Sequence, residues 1–145
     1  MTSSPLLVLL ILALAGPAPT PVAARQALAT QRVPVEGGGS YTDVGAAGLA
    51  AMLEKKNSLL VNVHVPYEGE IPGTDLFIPF DQVEANLGKL PADKRARLIL
   101  YCRSGRMSAI AARTLVRLGY ADVWNLDGGM LGWRQAGQPV VQKGR

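Results

Sequence analysis

Cysteine is nearly absent from this chain of 145 residues: Cys102 is the only one. A single thiol excludes an internal disulfide. Histidine is as scarce, with His64 alone. One cysteine and one histidine far apart in sequence make no zinc pattern. A nucleotide phosphate loop is missing too, because no glycine-rich run ends in Gly-Lys-Ser/Thr. The chain is therefore expected to work without a metal or other cofactor. Aromatic residues are few, at two Trp, two Phe and four Tyr. The basic residues are scattered rather than striped, so no nucleic-acid platform is expected. The formal net charge of +4 gives a mild field that favours small anions.

Residues 1–24 lack Lys, Arg, Asp and Glu altogether. They hold the apolar run Leu6–Ala15, LLVLLILALA, ten residues long. A membrane-spanning helix needs about 20, so no stable span is expected. Val22-Ala23-Ala24 fits the small-residue rule for signal-peptide cleavage before Arg25. Residues 1–24 read as a signal peptide of an exported, periplasmic or extracellular protein. An uncleaved anchor is the competing reading, because MTSSP carries no Lys or Arg. Residues 25–40, with a triple glycine and no sustained periodicity, read as a flexible leader. Residues 41–141 are then one domain, followed by a polar tail, 142–145.

Within that domain, strand and helix patterns alternate. Helical spacing runs through Ala46–Lys55, and LLVNVHV, Leu59–Val65, is a strand with apolar residues on both sides. A short strand is expected at Leu76–Ile78 and a helix from Asp81 to Asn86. RLILY, Arg97–Tyr101, is another buried strand, Ser108–Leu118 a helix, Ala121–Leu126 a strand and Met130–Gln135 a short helix. Strands apolar on both faces suit a parallel sheet covered on both sides. The expected fold is a small α/β domain with a mostly parallel central sheet flanked by helices.

The lone thiol sits where RLILY ends and a helix begins. Ligands of open α/β sheets gather at the carboxyl ends of strands. Arg103, Ser104, Gly105, Arg106 and Met107 follow Cys102. Gly105 allows a tight curl, and the first turn of a helix leaves amides free. Together they make a nest for an anion with sulfur at its centre. Positive partial charge there favours thiolate over thiol, and a thiolate is a nucleophile. Arg103 and Arg106 add full charges. An inert, buried cysteine is the competing reading. A charged, glycine-bearing loop is a poor place for it. A cysteine phosphatase loop needs an arginine six residues after the cysteine, and position 108 is serine.

YCRSGRMS, Tyr101–Ser108, resembles the active-site loop of the rhodanese (thiosulfate sulfurtransferase) family, single-domain type. VWNLDGGMLGWRQAGQPV, Val123–Val140, is similar to that family's closing segment. The resemblance implies a sulfurtransferase with Cys102 as catalytic residue. Arg103, Ser104, Gly105, Arg106 and Met107 would bind a small anionic sulfur donor. A sulfane sulfur would pass from thiosulfate or a similar donor, through a Cys102 persulfide, to cyanide, a thiol or a protein cysteine. The alternative is a persulfide carrier without turnover, or an oxyanion-binding module, serving a partner protein. Some positions depart from the family pattern. Asn62-Val63-His64 stands where Asp-x-Arg is common, and Glu70 stands where the family has histidine. Met107 occupies a position that is polar or basic in many members. His64 is expected to hydrogen-bond at a strand end, and Glu68 and Glu70 to lie on a solvated loop. Asp127, Gly128 and Gly129 read as a structural turn.

Overall fold

A computed structural model describes residue 16 and residues 29–143. Apart from residue 16, the expected signal peptide therefore lies outside the described residues. Six strands form one sheet: β1 (Thr30–Pro34), β2 (Ser40–Val44), β3 (Leu59–Asn62), β4 (Leu76–Phe77), β5 (Leu98–Tyr101) and β6 (Val123–Leu126). Their spatial order is β1-β2-β6-β5-β3-β4. Every pairing is parallel except that of β1 with β2. Among the described residues three α-helices accompany them: α1 (Ala46–Glu54), α2 (Arg106–Arg117) and α3 (Gly129–Gln135). A mixed α/β fold with a mostly parallel sheet flanked by helices is what the alternating pattern led us to expect.

Alternation along the central strands explains the layers. Leu98, Leu100 and Cys102 point to one face and pack with Val61, Val63, Ala111, Ala112 and Leu115. Ile99 and Tyr101 point to the other and pack with Leu49, Leu60, Leu126, Met130 and Trp133. Thus α2 covers one face, and α1 with α3 covers the other. All four residues of β5 are buried. Each such apolar side chain contributes about 1.5–3 kcal/mol relative to exposure. This places the residue after β5 at the centre of the sheet's carboxyl edge.

Several boundaries differ from the sequence reading. Residues 30–34, expected within a flexible leader, form β1, which pairs along its whole length with β2. Its turn closes through Val35 N–H to the Gly39 carbonyl at 3.0 Å. A pattern-based reading misses such an edge strand because most of its side chains are exposed. β3 stops at Asn62 rather than Val65. There Asn62 Oδ1 accepts a bond from His64 N–H at 3.0 Å, so the side chain takes the place of a ladder partner. The helix expected from Asp81 is a 3-10 helix, Glu84–Lys89, interrupted by the non-helical dihedrals of Asn86. α2 starts at Arg106, two residues before the expected Ser108, because Gly105 completes the turn in the left-handed region.

The carboxyl-terminal residues also belong to the fold. Glu70 and Val141 exchange backbone bonds of 2.8 Å each way. Lys143, in the expected polar tail, pairs through Nζ with Glu70 Oε1 at 2.9 Å. Its N–H donates to the Tyr67 hydroxyl at 3.1 Å. The segment after Pro66 is therefore clasped from outside.

Candidate active site

Cys102 ends β5 and is buried, with 1% of its surface exposed. Two donors reach its sulfur. Gly105 N–H lies 3.1 Å from Sγ, and the Ser108 hydroxyl lies 3.4 Å from it. Ser108 is itself fully buried. Its Oγ also lies 3.2 Å from the Gly105 carbonyl. One hydroxyl hydrogen serves one acceptor at a time. An ionised sulfur is the stronger acceptor and draws it. Arg106, Met107 and Ser108 form the first turn of α2, whose amides have no intrahelical acceptors. The positive end of the helix therefore faces the loop that carries the sulfur.

The loop keeps this shape because of two glycines. Gly105 has φ +96°, and a Cβ there would sit 3.3 Å from both the Leu126 carbonyl oxygen and the Gly128 nitrogen. Gly129 is tighter: with φ +56°, its Cβ would lie 2.5 Å from the carbonyl oxygens of both Cys102 and Arg103. That close approach lets α3 clamp the loop. Met130 N–H donates to the Cys102 carbonyl at 2.9 Å, and Leu131 N–H donates to the Arg103 carbonyl at 3.0 Å. The Asp127–Gly129 turn thus does more than reverse the chain. It orders the backbone on which the thiol is mounted.

Tyr101 anchors the loop from below. Its ring is buried, and its hydroxyl accepts from Ile71 N–H at 3.0 Å. It lies 2.6 Å from Thr74 Oγ1. Thr74 spends its own hydrogen on the Ile71 carbonyl at 2.6 Å, so the Tyr101 hydroxyl donates to Thr74. Burial pushes the Tyr101 hydroxyl up to about 12, against the smaller opposite pull of the bonds from Thr74 and Ile71. The Ile71–Thr74 segment is thereby fixed to the strand that presents Cys102.

The six residues singled out by the sequence stay together here, with different surroundings. Cys102 and Gly105 are buried, Met107 is half-buried, and Arg103, Ser104 and Arg106 are exposed. The bonds to sulfur come from Gly105 and Ser108 rather than from the exposed Ser104. The position of Ser108 six residues after Cys102, in the first turn of α2, was the signal that could have found it. His64 does hydrogen-bond near its strand end, as expected: Nε2 lies 2.8 Å from Glu68 Oε2. Glu68 is not merely solvated, because the same oxygen lies 3.6 Å from Arg103 Nε. Glu70, expected on a solvated loop, is buried to 4% exposure and held by Lys143 and Tyr67.

Two cavities lie on the α1 side of the sheet. One of about 240 Å³ is lined by Met52, Lys55, Arg97 and Trp124 among others. Another, of about 480 Å³, borders Leu53, Lys56, Ser58 and Asp75. Neither includes a residue of the Cys102 loop. Among the described residues, no helix is long and apolar enough to cross a membrane.

Comparison with known proteins agrees with this geometry. The rhodanese-like domain profile matches residues 46–136. A protein of Allochromatium vinosum named sulfurtransferase is 33% identical over 93 residues, which cover 62% of this chain and 84% of that one. The thiosulfate sulfurtransferase GlpE of Pseudoalteromonas translucida is 27% identical over 72% of this chain and 99% of its own. A tRNA uridine(34) hydroxylase of Erwinia tasmaniensis is 30% identical over 72% of this chain, yet that match spans 34% of the hydroxylase. Among solved structures, the crystal structure of a rhodanese-related protein from Thermoplasma volcanium aligns with TM-score 0.60 at 27% identity. That alignment covers 70% of this chain and 98% of the other.

Proposed function

The chain belongs to the rhodanese-like domain family, and from that membership we propose that it transfers a sulfane sulfur from thiosulfate or a similar donor to a thiophilic acceptor through a Cys102 persulfide. Family membership and the sulfurtransferases among its relatives support sulfur transfer in general. The single observation that carries the assignment to Cys102 is its sulfur, held 3.1 Å from the Gly105 amide at the positive end of α2.

In the first step the Cys102 thiolate attacks the outer sulfur of thiosulfate. The new Sγ–S bond forms as the S–S bond of the donor breaks, and sulfite leaves with the electron pair. In the second step a nucleophile attacks the terminal sulfur and Cys102 leaves as thiolate. Cyanide gives thiocyanate, and a thiolate gives a new persulfide. Gly105 N–H and the Ser108 hydroxyl hold the ionised sulfur before attack and when it leaves, as preorganised donors do. Arg106, exposed beside the loop, draws in the anionic donor, and Arg103, exposed on the same loop, adds what its contact with Glu68 leaves of its charge. No cofactor enters either step.

Intact-mass measurement tests this reading. The protein should gain about 32 Da, one sulfur atom, on exposure to a sulfane donor. It should lose that mass to cyanide, and Cys102→Ser should never gain it. A native protein that gains no mass from any sulfane donor overturns the proposal. A second reading, a persulfide carrier loaded by a partner protein, is favoured by the near-complete burial of Cys102. Loading by a protein persulfide but not by small donors would select it. Export is also part of the proposal, supported by Leu6–Ala15 and Val22-Ala23-Ala24. Sequencing the amino terminus of the mature protein tests it, and a chain that retains Met1 contradicts it.

A further inference from the structure

Two cations flank the thiol loop, and they are not equivalent. Arg106 has no carboxylate within ion-pairing distance among the described residues, whereas Arg103 Nε lies 3.6 Å from Glu68 Oε2. Both partners of that contact are substantially exposed, at 59% and 46% for the side chains. Such a pair contributes little to stability. Its consequence is the charge presented to an incoming donor.

The Glu68 carboxylate is held by His64, and the backbone that follows it is pinned separately. His64 Nε2 lies 2.8 Å away, and its side chain is 8% exposed. His64 Nδ1 is buried without a partner. A proton on Nε2 donates to Glu68. The next residue is fixed as well, since Asn62 Nδ2 donates to the Gly69 carbonyl at 3.0 Å. Beyond it, Glu70 is bridged to Val141. Asn62 and His64 are the two residues that depart from the family's Asp-x-Arg. Both act here on the segment that carries Glu68.

We infer that Glu68 is a specificity-determining residue which selects against a second negative charge on the sulfur donor. It acts by neutralising Arg103 and by placing a fixed carboxylate beside the thiol loop. The substrate class so favoured is the singly charged sulfane donor, an organic thiosulfonate or persulfide, over the dianion thiosulfate. The inference rests on the sulfur-transfer reading of Cys102. Two donors of similar shape isolate the charge. Thiosulfate loads the thiolate and releases sulfite, a dianion replacing a dianion. Methanethiosulfonate loads it in the same way and releases methanesulfinate, a monoanion replacing a monoanion.

The experiment measures kcat/KM for both donors, with cyanide as acceptor, in the native protein and in Glu68→Gln. The thiosulfate-to-methanethiosulfonate ratio should rise about fourfold in the variant. Removing the carboxylate lowers the Coulomb repulsion on the dianion's extra charge, and solvent at this exposed rim keeps the factor modest. The rise should shrink toward unity in 1 M salt, where the screening length is about 3 Å. A merely structural role would change both donors alike. Arg103→Gln provides an independent variant and should move the ratio the other way. An unchanged ratio in Glu68→Gln overturns the inference while sulfur transfer stands. If Glu68→Gln does not fold, an unchanged ratio in Arg103→Gln overturns it equally. Failure of the native protein to load from either donor overturns the sulfur-transfer reading itself, and this inference with it.

Discussion

The Ser108 hydroxyl lies 3.4 Å from the sulfur of Cys102, six residues and one loop away. The two residues sit on different elements, a strand end and the first turn of a helix. They meet because Gly105 reverses the chain between them.

Ser108→Ala removes one of two donors to the sulfur and leaves no bulkier group behind. Loading of Cys102 should slow roughly tenfold, the scale of a lost hydrogen bond to a charged group. The folded state should lose only about 1 kcal/mol. Stopped-flow or quenched mass measurement gives the first value, and urea unfolding the second. Equal loading rates would remove Ser108 from the site.

Gly129→Ala should act through the backbone. The added Cβ meets two carbonyl oxygens at 2.5 Å, and alanine disfavours φ +56°. Overpacking together with the strained dihedral predicts a loss of about 3 kcal/mol. Urea unfolding should show it. Whatever protein remains folded should load sulfur poorly, because α3 can no longer clamp Cys102 and Arg103. A stable, fully active variant would contradict the clamp.

Arg106→Ala should lower kcat/KM for thiosulfate roughly tenfold, by loss of a charge-assisted contact. Arg106 is exposed and belongs to no ion pair among the described residues. Its removal should leave the thermal midpoint nearly unchanged. Unaltered thiosulfate kinetics would show that the anion enters without it.

Tyr101 gives a pH prediction. Burial raises its hydroxyl to about 12 in the folded chain, from 10.0 unperturbed. Between those values the unfolded chain releases a proton that the folded chain keeps. Stability from this group is therefore complete below pH 10 and is lost as pH rises through about 12. The loss should reach about 2–3 kcal/mol. Tyr41 is shifted the same way, chiefly by burial, so comparison with Tyr101→Phe isolates Tyr101. Parallel alkaline unfolding profiles for the two proteins would refute the assignment.

Much of this architecture was legible in local pattern. Leu98–Tyr101 reads as a strand buried on both faces because every residue in it is apolar or aromatic, and it is buried throughout. Cys102 falls at a carboxyl strand end for the same reason. β1 was not legible, because an exposed edge strand has no apolar alternation to reveal it. Ser108 was passed over as the residue that distinguishes this loop from a phosphatase loop. The role of the Gly128-Gly129 pair was underestimated, because close backbone approach leaves no trace in composition.

The sequence by itself determined the α/β alternation, the site of the lone thiol and the curl that follows it. These depend on side-chain periods of two and 3.6 and on the dihedral freedom of one glycine, all properties of neighbours along the chain. Only the tertiary structure decided that Glu68 would join His64 to Arg103, that α3 would clamp the thiol loop, and that Lys143 would reach Glu70. Those contacts bring together loops whose paths are set by the packing of distant strands, and no local preference encodes where such a side chain will find its partner.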